Sequence, residues 1–292
     1  MNSQQFSAMR QHVSTPHGEI AYVEKGEGPP ALFVHGVLLN GYLWRDAIDA
    51  LSDVRRCIAI DLLGHGATTT KPDADMSFTA QAAMIASFVE ALGLDQVDLV
   101  ANDSGGGISQ IFAANHPERI RTLTLTNCDT HDNYPPTALE PLLQVVKSGG
   151  LAAIGKRMLE DVDFARQSFA TAYERPHDVA PETFATYLGP LLASDESVAL
   201  LERFLLGAAD NSQNVRIEPK LKQLQAPALI IWATDDVFFD VKWAHWLKET
   251  LPGAREVIEV PGAKLFFPEE RPAWFADQLR RFWTAEAARS AA

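Results

Sequence analysis

The sequence predicts an α/β fold: a mostly parallel sheet of eight strands flanked by helices, with a helical segment inserted late in the chain. Three observations carry this. Short β-rich runs alternate with stretches of helical periodicity, the pattern of a parallel sheet with helices on both faces. That rhythm stops between His131 and about Arg216 and then resumes. The 292 residues, 47% of them apolar, suffice for one large sheet domain carrying an insertion. The expected division is a core of residues 1–130 and 217–292, with a helical cap over 131–216.

Taken in order, strands are expected near 19–24, 31–35, 56–61, 97–102, 120–127, 227–233 and 255–260, with an N-terminal strand near 9–14 joined to the first by Thr15-Pro16-His17-Gly18. Helical periodicity is clearest over 79–93, where Ala83, Met84, Ala86, Phe88, Val89 and Leu92 form an apolar face, and over 105–116, 241–251 and 272–285. The insertion reads as short helices broken at Gly149-Gly150, Pro176, Pro181 and Gly189-Pro190. Its Phe164, Phe169, Tyr173, Phe184, Tyr187 and Leu188 either fill the core of the cap or roof an apolar pocket.

Charge and composition narrow the function classes. A formal charge of −13 argues against nucleic acid or an anionic membrane as partner, and no run of Lys and Arg offsets it. Met1 to Arg10 is polar, and no window of about 18 apolar residues occurs, so a soluble cytoplasmic protein is expected. Cys57 and Cys128 lie in apolar runs, as reduced core thiols do. No cofactor and no metal is expected; the expected partner is a small apolar molecule, and the oligomeric state is left open.

The most informative segment is Leu99-Val100-Ala101-Asn102-Asp103-Ser104-Gly105-Gly106, a strand that runs through small residues into a helix. This is the pattern of a nucleophile elbow, where a strained turn exposes one reactive side chain between small neighbours. Centred on Asp103, the flanking positions are Ala101 and Gly105, and aspartate tolerates a left-handed backbone better than most residues. Centred on Ser104, they are Asn102 and Gly106, and the Asn102 side chain would crowd the turn. The plainer alternative makes Asp103 a helix N-cap. His35-Gly36-Val37 closes an earlier strand, where the amide of Val37, with that of Ser104, could form an oxyanion hole.

With these residues in place the chain resembles the α/β-hydrolase superfamily along nearly its whole length, and within it the aspartate-nucleophile branch of haloalkane dehalogenases and epoxide hydrolases. Asn115-His116-Pro117-Glu118-Arg119 ends the helix after the elbow at the spacing of that branch. The resemblance implies Asp103 as nucleophile. Asn127 stands where some dehalogenases carry their acid and others an asparagine; those with asparagine keep the acid after the next strand. Ile230-Ile231-Trp232-Ala233-Thr234-Asp235-Asp236 then implies Asp236 as that acid, with Asp235 as fallback.

The same resemblance exposes a gap. Aligning Gly262-Ala263-Lys264-Leu265-Phe266 and Glu270-Arg271-Pro272 without insertion puts Leu265 where the family carries its histidine base. Attack of a carboxylate on an sp³ carbon needs no base, whereas hydrolysis of the resulting ester does. His131, at the start of the insertion, is the candidate for a rerouted base; His35, His65 and His245 are expected to be structural or exposed. Ser104 stands where dehalogenases carry a halide-binding tryptophan, and Leu38 where the family carries proline. Epoxide hydrolases use two cap tyrosines, and Tyr134, Tyr173 and Tyr187 are available; with Asn127 and His131 they are the expected substrate-binding residues. The expected function is a hydrolase-like enzyme forming a covalent ester with a small or medium apolar electrophile. The competing expectations are a degenerate member that only binds a small molecule and a serine esterase built on Ser104.

Overall fold

The computed structural model describes residues 1–207 and 212–290. Its strands are β1 (Arg10–Thr15), β2 (Gly18–Lys25), β3 (Pro30–Val34), β4 (Arg56–Ile60), β5 (Thr69–Thr70), β6 (Val97–Asp103), β7 (Ile120–Cys128), β8 (Ala228–Ala233) and β9 (Ala254–Val260). Eight run in the order β1-β2-β4-β3-β6-β7-β8-β9, and β5, not foreseen from the sequence, adds two residues beside β2. β1, β2 and β4 pair antiparallel; from β4 to β9 every pairing is parallel. The central strands are near-continuous apolar runs because both faces of a parallel sheet are covered: β6 and β8 are buried at every position.

Helices Arg45–Leu51 and Pro272–Ser290 pack together, as do Phe78–Ala91 and Ser104–Asn115. A short N-terminal helix, Ser3–Ala8, is also new; Asn2 and Gln5 form a capping box, and Phe6 meets Tyr42 edge-on at 5.3 Å. Cys57 and Cys128 are buried free thiols, and burial raises the Cys57 thiol to about 12.

The chain leaves β3 toward β4 on one side and later returns to β6 on the other. The loops after β3 and β6 therefore diverge and leave a crevice at the carboxyl ends of the strands, the usual place for a site in such sheets. Between β7 and β8 the described residues form helices and no strand: Glu140–Lys147, Leu151–Glu160, Val162–Ser168, Pro181–Leu191, Asp195–Gly207, Ser212–Arg216 and Glu218–Leu221, with short 3₁₀ turns. Pro181 opens its helix, where a missing N–H costs nothing.

Candidate active site

Asp103 is the last residue of β6 and Ser104 the first of the following helix, so the turn is made at one residue. That residue has φ 57° and ψ −139°, a conformation that L side chains adopt only under constraint. The strained residue is thus Asp103 and not Ser104. Its neighbours show why small residues are needed. A Cβ on Gly105 would lie 2.2 Å from the carbonyl oxygen of His35, and one on Gly106 would lie 2.2 Å from Cβ of Cys128. A Cβ on Gly36 would lie 2.1 Å from Oδ2 of Asp103 itself. Asn102 turns away from the elbow: Nδ2 donates to Thr126 Oγ1 at 2.9 Å and to the carbonyl of Leu265 at 3.1 Å.

The Asp103 carboxyl is buried, and burial raises its pKa to about 7; the charge of Asp236 pushes the same way, while the amides of Ser104 and Val37 oppose it. The Val37 N–H also donates to Ser104 Oγ at 2.8 Å, so the hydroxyl next to Asp103 shares one of the two proposed oxyanion donors. Asp236, just after β8, is likewise raised to about 7 by burial. Its Oδ2 accepts from Asn127 Nδ2 at 2.8 Å and its Oδ1 from the Phe238 amide at 2.8 Å. Asn127 also accepts from the Ala233 amide at 2.7 Å, which ties the end of β7 to the end of β8. Asp235 is exposed and accepts from Thr234 Oγ1, outside the site.

Asp103 opens into a cavity of about 350 Å³. Its floor includes Val37, Ser104, Leu265 and Asp129, and its roof comes from the segment between β7 and β8, including Leu142, Ile154 and Phe169. Strand, turn, helix and a roofed crevice together constitute the hydrolase arrangement. A family model described as the alpha/beta hydrolase fold matches residues 29–271. The chain belongs to the α/β-hydrolase superfamily. A haloalkane dehalogenase of Agrobacterium fabrum is 34% identical over 289 residues, covering 91% of this chain and 88% of that protein. "Haloalkane dehalogenase 2" of Mycobacterium tuberculosis is 30% identical over 261 residues, covering 87% and 88%. The structure of the epoxide hydrolase CorEH superposes with a TM-score of 0.78 at 20% identity, covering 94% of this chain and 98% of that one. The two relatives at 30% identity or more place the hydrolase in the branch that contains the haloalkane dehalogenases.

Several residues expected at the hydrolase site lie elsewhere. His131 does not line the cavity: its Nε2 meets Glu218 Oε2 at 3.0 Å and its ring lies 4.9 Å from that of Trp246, so the rerouted base is not there. The hydroxyls of Tyr173 and Tyr187 both donate to Glu269, at 2.6 and 2.9 Å, and neither lines the cavity. An Arg45–Glu269 ion pair completes that cluster, and the charged Glu269 explains why both phenols are drawn to it. Of the three tyrosines only Tyr134 faces the cavity. Asn127 was expected to contact substrate; it is fully buried and supports Asp236 instead.

The other three histidines weighed in the sequence, His35, His65 and His245, do not line the cavity. His35 accepts from the Leu62 amide at 3.0 Å and pairs with the Gly36 carbonyl at 2.7 Å; burial lowers its pKa to about 4. His65 is lowered to about 3 by burial and by His35, and His245 pairs with Glu259 on the exterior. Leu38 has φ 64°, which a proline ring cannot adopt, so the missing family proline is consistent with the loop as built. Asp129 went unnoticed in the sequence. It follows β7 directly, is 1% exposed, and lines the cavity. Its signal was available: it is an acid at the carboxyl end of a strand adjacent to the elbow strand.

Proposed function

We propose that this hydrolase attacks the sp³ carbon of a small or medium apolar electrophile, an epoxide, a haloalkane or a related compound, with the Asp103 carboxylate, forming a covalent ester. The observation that carries the reading is a carboxylate held at a positive-φ strand-to-helix turn and opening into an apolar cavity. Pairing of a largely apolar wall with the Asp103 carboxylate suits a neutral electrophile, which binds by desolvation and needs no proton to be attacked. The helical segment 131–216 serves as the cap that excludes water from this step. Ser104 is less suited to attack, since its hydroxyl accepts from Val37 N–H and no histidine lines the cavity to take its proton.

Release of the ester is the weak step. Leu265 occupies the cavity wall at the position of the family base, and general-base catalysis is worth about 10²–10⁴-fold. The name dehalogenase or epoxide hydrolase belongs to the relatives; for this chain both bond types follow from the same nucleophile. Incubation with bromoalkanes and epoxides, followed by intact-protein mass measurement and product analysis, tests the reading. Modification of the protein or release of product is expected with at least one class, and both are expected to vanish in Asp103→Asn. A panel that leaves the protein unmodified and the compounds unchanged supports the alternative, a small-molecule binder without turnover, which Leu265 favours.

A further inference from the structure

The cavity holds a second carboxyl beside Asp103. Cys128 pairs with Asp103 across the sheet, and Asp129 is the next residue; its amide donates to the Asp103 carbonyl at 3.4 Å. The position is built rather than incidental. Gln110 Nε2 holds the Asp129 carbonyl at 2.8 Å, and Gly107 is a glycine where a Cβ would lie 2.9 Å from Cβ of Asp129. Yet Oδ1 of Asp129 is buried without a hydrogen-bond partner. A buried, unpaired carboxyl oxygen at a cavity wall costs stability and calls for a functional account.

Resting on the reading of Asp103 as nucleophile, we propose that Asp129 is the acid–base residue in place of the absent histidine, and that this makes strained cyclic ethers, not haloalkanes, the substrates that turn over. In the first step Asp103 attacks a ring carbon, the C–O bond of the epoxide breaks, and the departing oxygen takes the proton of Asp129. The products are a hydroxyalkyl ester of Asp103 and an Asp129 carboxylate. In the second step that carboxylate takes a proton from water as the water oxygen adds to the ester carbonyl. Collapse expels the alkoxide, which leaves as the second hydroxyl of a diol after receiving the one proton the pair has to spare. Asp103 ends ionised and Asp129 protonated, as they began.

Burial and the neighbouring Asp103 charge hold the Asp129 carboxyl well above the usual carboxylate range, so it enters the first step with its proton. The other candidates are less suited. Asp236 is engaged by Asn127 and the Phe238 amide and does not line the cavity. Tyr134 does line it, but burial and the nearby acids raise its phenol further, so it cannot act as a base. A haloalkane interrupts the cycle: the halide leaves as an anion and takes no proton, Asp129 keeps its own, and no base is formed for the ester.

The test compares the full-length protein with Asp129→Asn, using styrene oxide and 1-bromohexane as probes. The unmodified protein is expected to release diol from styrene oxide and to retain a hexyl adduct from 1-bromohexane. Asp129→Asn is expected to release diol about 100-fold more slowly or worse, while 1-bromohexane still alkylates it, which also reports a folded elbow. If this variant does not fold, Asp129→Ser is judged by the same criteria. Diol release at the original rate in the variant overturns the proposal, as does loss of alkylation by 1-bromohexane, which would make Asp129 only a support for Asp103. Equal turnover of the two probes by the unmodified protein overturns the selectivity. If neither probe modifies the protein or is consumed, the reading of Asp103 itself has failed.

Discussion

The elbow after β6 and the segment after β9 approach the same cavity, but they differ in what the fold has kept. At the elbow both scaffold and reactive group are present: the strained backbone, the glycines that permit it, and the carboxyl of Asp103. After β9 an equally ordered scaffold presents an apolar side chain, Leu265, to the cavity. Gly262 keeps a positive φ of 73°, the Leu265 carbonyl accepts from Asn102, and Asp236 stands in its cradle of Asn127 and the Phe238 amide. The backbone of the second region has structural work of its own. Its carbonyl at Leu265 satisfies the buried Asn102, and Phe266 packs edge-on against Tyr173 at 5.0 Å. The backbone around Leu265 is thus held by contacts that do not depend on which side chain faces the cavity.

The comparison is sharpened most by changing the side chain at Leu265. Leu265→His places an imidazole on the cavity wall of a scaffold that still carries Asp236, and hydrolysis of the alkyl ester is expected to accelerate by about 10²–10⁴-fold. Single-turnover decay of the 1-bromohexane adduct measures it, and an unchanged decay would show that the second region has lost geometry as well as chemistry.

A second test concerns the charge buried at the elbow. A carboxyl that ionises near 3.9 in the unfolded chain and near about 7 in the folded one binds more protons when folded, so stability falls as pH rises between those values. Asp103→Asn removes this penalty. Its advantage in denaturant unfolding is expected to be small near pH 4, to grow by up to about 1.4 kcal/mol per pH unit, and to level off above about pH 7. A difference independent of pH would mean that Asp103 is ionised without cost.

Smaller effects separate the two scaffolds. Gly36→Ala drives a methyl into the Asp103 carboxyl and is expected to cost about 1–3 kcal/mol and most of the alkylation rate. Asn127→Ala strips Asp236 of a partner and the Ala233 amide of its acceptor, at about 1–2 kcal/mol. That variant is expected to leave alkylation by Asp103 unchanged, since the first step does not use the relay. Chemical unfolding and alkylation rates measured on the same samples distinguish the two.

Much of this was legible beforehand because local signals and global topology agree. Alternating β-rich runs located all eight strands of the main sheet, and Ala101-Asn102-Asp103-Ser104-Gly105 identified the turn because only small residues fit between β3 and β7. β5 escaped because two residues carry no periodicity. The aromatic and histidine side chains of the insertion were harder. Whether Tyr173 faces a ligand or Glu269 depends on a carboxylate almost a hundred positions away, and His131 is claimed by Glu218 in the same manner. Asp129 was overlooked because attention at the end of β7 went to Asn127, two residues earlier.

The cluster around Glu269 bears on how molecules reach Asp103. Residues 264–271 are stitched to 170–175: Lys264 Nζ reaches the Ala170 carbonyl, the Phe266 amide the Ala172 carbonyl, Glu270 receives the amides of Glu174 and Arg175, and Arg271 pairs with Glu174. With the bonds of Tyr173 and Tyr187 to Glu269, this makes a closed seam along one margin of the roof. The helices Glu140–Lys147 and Leu151–Glu160 carry no such stitching; their cavity side is formed by Leu142, Val145, Ile154 and Met158. Apolar contacts part and re-form at less cost than a row of polar bonds, so the roof is held more firmly beside residues 264–271 than over the helices Glu140–Lys147 and Leu151–Glu160.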